Sequence, residues 1–141
     1  AMADSLWMRL REVRWEKYKV SPASKKLVPK ILENLASRKE ARAMKASHDL
    51  WVALCSGEIY PAAEPCFSFL IEILAISQVS VQGEILDLFL KFAQVPNDES
   101  AEEWQKLLRM MLNKEHRFFT KLRHSRDEIV AGRAERLLDI I

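Results

Sequence analysis

Three histidines, two cysteines and a spread of carboxylates are the side chains of this chain that could do chemistry. Metal sites and catalytic sets draw on such residues at short, defined spacings. His48, His116 and His124 stand far apart, with no H-E-x-x-H and no closely spaced Cys/His set. There is also no glycine-rich phosphate loop and no G-x-S-x-G elbow. His116 and His124 fall among Arg and Lys at the end of a predicted sixth helix, where a cation suits the helix dipole. His48 lies between Met44 and Trp51 on a predicted inward stripe, as a satisfied core histidine would. Cys55 and Cys66 sit in apolar segments and read as small buried hydrophobes in a reducing compartment. Glu72 is the one charge between Cys66 and Ile76 and belongs at a solvated helix edge, a buried functional carboxylate being the alternative. The expectation is therefore a protein with no catalytic residue, cofactor or metal. An enzyme would require His48, Cys55 and Glu72 to gather in one pocket.

Charge is the more informative pattern. The net is only +2, but it is segregated along the chain. Residues 1–48 carry 12 Lys/Arg against 5 Asp/Glu, residues 49–105 carry 1 against 10, and residues 106–141 carry 9 against 5. Such asymmetry speaks of partners. Glu58, Glu64, Asp98, Glu99 and Glu102 form an acidic fringe suited to a basic protein, with Tyr60 and Trp104 as aromatic anchors if exposed. Several of these carboxylates also lie where helix starts favour them. The first third gathers Arg9, Arg11, Arg14, Lys17, Lys19, Lys25, Lys26 and Lys30 with Trp7 and Trp15, a mixture able to hold nucleic acid. A pI of 8.6 and the acidic middle weigh against a phosphate backbone.

The elements that must position these residues are helices. At 141 residues the chain is expected to be one domain, 1–141. Three glycines, five prolines and no sustained alternation leave no predicted strand. The stretch Leu54 to Phe92 is nearly free of charge, in a chain that is 30% charged, and belongs in a covered core. A first helix is expected to run to about Tyr18, capped by Asp4 or Ser5. Ser21-Pro22 signals a second helix through Leu27, Val28, Ile31, Leu32 and Leu35, with Pro29 forcing a kink or a late start. Ser37–Glu40, Ser100–Glu103 and Ser125–Glu128 have capping-box form. The third helix is expected to turn Ala41, Met44, His48, Trp51 and Cys55 inward, widened by Leu50 and Leu54, and to end at Gly57. Tyr60-Pro61 should open the fourth helix and Ser80 cap the fifth, which faces Ile85, Leu88, Phe89 and Phe92 inward. The sixth carries Trp104 and Phe119 and has a break signal at Asn113-Lys114. No apolar run reaches the roughly 20 residues of a membrane span, and no secretory leader is visible. Ala1-Met2-Ala3 looks like an expression scar, which leaves a removed leader open.

Ser37–Leu50 (SRKEARAMKASHDL) and Ser125–Leu138 (SRDEIVAGRAERLL) match at six positions without a gap. Half the offset places Glu84 in register, at the expected start of the fifth helix. A period of about 40–47 residues with two helices each is that of HEAT and armadillo repeats. The expected fold is all-α: a short HEAT-like α-solenoid of about seven helices, an N-terminal capping helix and three hairpins.

The segment GEIYPAAEPCFSFLIEIL, Gly57 to Leu74, followed by GEILDLFLKFA, resembles the middle of small bacterial HEAT-like proteins. These carry Gly-x-x-Tyr-x-Ala-x-x-Pro before an apolar helix, and many act as immunity proteins against polymorphic toxins or secretion-system effectors. This chain departs from that pattern at Cys55 and Ser56, where the family often has His-Gln, and at Ser68, where it often has proline. The resemblance implies an immunity protein that neutralises a cognate toxin by occlusion; a cytoplasmic monomer or weak dimer without a cofactor is the accompanying expectation. Its expected partner contacts are Glu58, Tyr60, Glu64, Asp98, Glu99, Glu102 and Trp104. Nucleic acid is not expected as a partner, and a nucleic-acid-binding or scaffold module using the basic first third is the alternative.

Overall fold

The computed structural model describes residues 2–141, with side chains from Leu6 onward. Eight α-helices and one 3-10 turn make up the described chain, and there is no strand among the described residues. The helices are α1 (Met2–Glu12), α2 (Val28–Leu35), α3 (Glu40–Cys55), α4 (Ala63–Ile76), α5 (Val79–Phe92), α6 (Glu103–Lys114), α7 (His116–Leu122) and α8 (Glu128–Ile140). The eighth arises because the predicted sixth helix divides at Glu115, beside the Asn113-Lys114 break signal.

α2 pairs with α3, α4 with α5, and α7 with α8. Two rows follow. α2, α4 and α6 touch in sequence on one side, and α3, α5 and α8 on the other. The three helices of the second row run parallel. At their starts Ser80 donates its hydroxyl hydrogen to the Glu40 carboxylate, and the Arg133 guanidinium donates to the Gly83 carbonyl at 2.7 Å. Towards their far ends the Lys91 ammonium lies 5.8 Å from the Trp51 ring centre.

α5 is the hub, in contact with α3, α4, α6 and α8. Its predicted inward residues Ile85, Leu88, Phe89 and Phe92 are all buried. Phe89 is the centre of an aromatic cluster, with Phe67 of α4 at 4.9 Å, Phe92 at 6.0 Å and Phe119 of α7 at 5.8 Å between ring centres. α4 buries Cys66, Phe67, Phe69, Leu70, Ile73 and Leu74, as its mostly apolar sequence requires. Ser68 and Glu72 face outward along it, and its last turn emerges with Ile76 exposed.

The boundaries correct several expectations. α1 stops at Glu12, and Trp15–Lys17 forms a separate 3-10 turn whose Trp15 indole N–H donates to the Leu10 carbonyl at 2.7 Å. The caps proposed at Asp4 and Ser5 concern side chains outside those described, and the helix is already formed at both positions. α2 starts late, with Pro29 in its first turn, where its missing N–H costs nothing. Ser21 builds a turn instead: its oxygen accepts from the Ala23 amide at 3.1 Å and its own amide donates to Ala53. Leu27, left ahead of the helix, is exposed.

Ser37 and Ser125 likewise act two residues early. Each oxygen accepts from the amide of Lys39 or Asp127, at 3.1 Å in both cases. Helices then begin at Glu40 and Glu128, and Asp127 caps α8 by accepting from the Val130 amide. The two matching sequence segments therefore fold alike at their starts. Ser100 is not the cap of α6; Glu102 holds that place, and its amide donates to the Gln105 side chain at 2.8 Å. Gln78 takes the position expected of Ser80, so Glu84 lies in the sixth place of α5 and not at its start. Tyr60 and Pro61 form a turn before α4, which begins at Ala63. Gly57 does end the turn after α3, with φ of 80°.

α3 is rotated from its expected setting. It buries Ala43, Ala46, Ser47, Leu50, Ala53, Leu54 and Cys55, while Ala41 and His48 are exposed and Met44 and Trp51 are half-buried. Contact with both α2 and α5 selects this face, because small side chains let neighbouring helices approach closely.

Candidate functional site

The predicted catalytic remnants do not meet. His48 is exposed beside Lys45 and Asp49, Cys55 lies at the other end of α3, and Glu72 sits on α4. Both Glu72 oxygens accept from the Arg9 guanidinium, at 2.5 and 2.7 Å, which makes this carboxylate a tie between α1 and α4. Cys55 and Cys66 are free thiols. Burial pushes Cys55 up to about 12, and burial also raises Cys66. Such thiols remain protonated at neutral pH and are poor nucleophiles. His116 opens α7, so it stands at a helix start and not at the helix end its sequence context implied. No group of three or more His, Cys, Asp or Glu is placed to hold a metal among the described residues.

The acidic fringe is partly assembled. The ends of α3 and α5, with the loops that follow them, enclose a groove of about 440 Å³. Trp51, Glu58 and Ile59 line one side, and Lys91, Pro96 and Gln105 the other. Glu58 is exposed at one lip. The loop forming the opposite wall carries Asp98, Glu99 and Glu102, all exposed. Lys91, the only cation between Asp49 and Gln105, is half-buried in this groove over Trp51. It offsets part of the negative charge and fixes the tryptophan face.

Asp98 has a local task as well. Its carboxylate accepts from the Ser100 amide at 2.9 Å and from the Ser100 hydroxyl at 2.5 Å. These bonds favour the charged form and lower its pKa. Glu64 is half-buried in the first turn of α4, and burial raises its pKa.

The two expected aromatic contacts do not line the groove. Tyr60 is buried, with its amide donating to the Leu54 carbonyl at 2.8 Å, so it braces the α3–α4 connection. Trp104 is half-buried against the core. Trp51, Ile59 and Pro96 replace them as the apolar part of the groove, and sequence pattern did not single them out. Trp51 was expected to point inward, because a helical stripe records which residues share a face and not where a neighbour stops covering it.

No protein-family model matches the chain, and no curated protein or solved structure is measurably similar to it.

Among the described residues no helix is long and apolar enough to cross a membrane. Some of the N-terminal cations are engaged. Arg9 is tied to Glu72, Lys26 to Asp49 at 3.0 Å, and Arg11 stacks over Trp7 at 4.6 Å. Trp7 is exposed and Trp15 is half-buried, so the basic-aromatic interleaving expected of the first third is broken.

Proposed function

We propose that this chain is a short HEAT-like solenoid of three hairpins that works as a binding protein: an immunity-type protein that occludes a cognate toxin or effector. The observation that carries the reading is the groove at the ends of α3 and α5, with Glu58 at one lip and Asp98, Glu99 and Glu102 in the loop of the other. An apolar floor of Trp51 and Ile59 inside an acidic rim suits a basic protein partner. The rim accelerates encounter by electrostatic steering, and the floor supplies the desolvated contact that slows release. The shared turn geometry of Ser37 and Ser125 and the two rows of helices support the repeat reading. The resemblance of Gly57 to Leu74 to HEAT-like immunity proteins supports the toxin as partner. The protein acts in the cytoplasm, as a monomer or weak dimer, without catalysis or cofactor.

Co-expression with the product of the adjacent gene tests the proposal. Loss of toxicity with co-purification is expected, and Glu58→Lys with Glu99→Lys should weaken the complex at low salt by slowing association. Undiminished toxicity without co-purification refutes it.

A further inference from the structure

The cations that the sequence gathers in its first third do not make one surface, and one group of them faces water around α3. α3 is packed by α2 and α5, which leaves its outer side open. Arg42, Lys45 and His48 on that helix are exposed, and Arg38 and Lys39 extend the row through the preceding turn. Three residues apart, Arg42 and Lys45 stand about 5–6 Å from one another along the helix.

A second row adjoins the first. Lys25 and Lys26 share with Lys45 and His48 a depression of about 290 Å³, floored by Ile31 and Val52. Asp49 is its one carboxylate, 3.0 Å from Lys26 and 3.7 Å from Lys45, so the lysines outnumber it. Glu40, the carboxylate at this end of α3, is bound to the Ser80 hydroxyl. Arg38, Lys39 and Arg42 form no ion pair among the described residues.

We infer that the outer face of α3 is a docking surface for duplex nucleic acid, gripped through its phosphates. A row of cations in which Arg38, Lys39 and Arg42 form no ion pair matches a closely spaced line of phosphate charges. The face presents no exposed aromatic ring, so it lacks the stacking platforms that hold single strands. On α3 itself the face carries no exposed large apolar side chain that would insert into a membrane or anchor an acidic protein.

The acidic groove does not cancel this surface. Thirteen residues separate Arg42 from Cys55, about 20 Å along a helix. That is more than two Debye lengths of about 8 Å at physiological ionic strength. Contacts of this kind fix position without reading bases, so binding is independent of sequence.

Fluorescence anisotropy with a short random-sequence duplex provides the test. Four engaged cations give a slope of log affinity against log salt near −3.6, or roughly a 100-fold loss between about 50 and 200 mM salt. Arg42→Glu with Lys45→Glu should weaken binding at least about 10-fold and flatten the slope by about 2. Arg117→Glu with Lys121→Glu, the same charge change on exposed positions of α7, should leave the salt slope unchanged. Circular dichroism confirms that both variants keep their helices. No binding at about 50 mM salt overturns the proposal. So do equal losses in both double variants, or tighter binding to single strands, polyglutamate or anionic vesicles than to duplex.

Discussion

Replacing Phe89 with alanine removes the side chain on which the two rows of helices converge. The ring is fully buried and meets Phe67 of α4 and Phe119 of α7, at 4.9 and 5.8 Å between centres. A buried Phe→Ala change costs about 3–5 kcal/mol, from lost transfer energy and the cavity left behind. Contacts to two other helices place Phe89 in the middle of that range or above it, near ~4 kcal/mol. Unfolding entropy of about 2.1 cal/mol/K per residue gives roughly 0.3 kcal/mol/K for this chain, so Tm should fall by about 13 °C. Thermal unfolding followed by circular dichroism reads the shift. Phe118→Ala is the control: this ring neighbours Phe119 at 6.2 Å but is half-buried, and its loss should cost no more than about 2 kcal/mol. A cycle combining Phe89→Ala with Phe119→Ala should show a coupling of about 0.5–1.5 kcal/mol. A Phe89→Ala shift below about 5 °C, or one equal to that of Phe118→Ala, would refute the reading of α5 as the hub.

Three further outcomes follow from single positions. Cys55, held up to about 12 by burial, is protonated below that pH, so only about one part in ten thousand is thiolate at pH 8. Native protein should resist iodoacetamide at pH 8 while denatured protein labels at both cysteines, and rapid native labelling counted by mass spectrometry would contradict this. Gly132→Ala should raise stability by about 1 kcal/mol, since a Cβ there meets nothing within 4 Å and glycine is a poor residue inside a helix. Gly57→Ala should lower stability by about 1–2 kcal/mol, because its φ of 80° strains any side chain. Denaturant melts that place these two changes on the same side of wild type would contradict the assignment.

The groove shows how unevenly a site is written in a sequence. Glu58 and the loop acids were identifiable from charge segregation alone, because carboxylates without nearby cations stand out along a chain. Trp51 and Pro96 were not, since 45 positions separate them and only the parallel course of α3 and α5 brings them to one groove. Tyr60 was misassigned for a related reason. An aromatic beside a proline looks like a loop residue, yet the turn after Gly57 folds its ring into the core.

Local chemistry by itself determined the helical class, the end of α3 at Gly57, the break near Asn113-Lys114 and the buried face of α5. Each of these rests on interactions within a few residues: glycine's tolerance of positive φ, polar residues that interrupt an apolar stripe, and the 3.6-residue period. Tertiary structure alone decided which face of α3 is buried, that Leu27 stays outside, and which charges are spent. Arg9 and Glu72 are 63 positions apart, and Lys26 and Asp49 are 23 apart. Pairing at such distances depends on how helices stack, and stacking depends on small residues such as Ala43, Ala46 and Ala53. Their apolar weight is slight in a sequence pattern, but their size sets how closely α2, α3 and α5 approach.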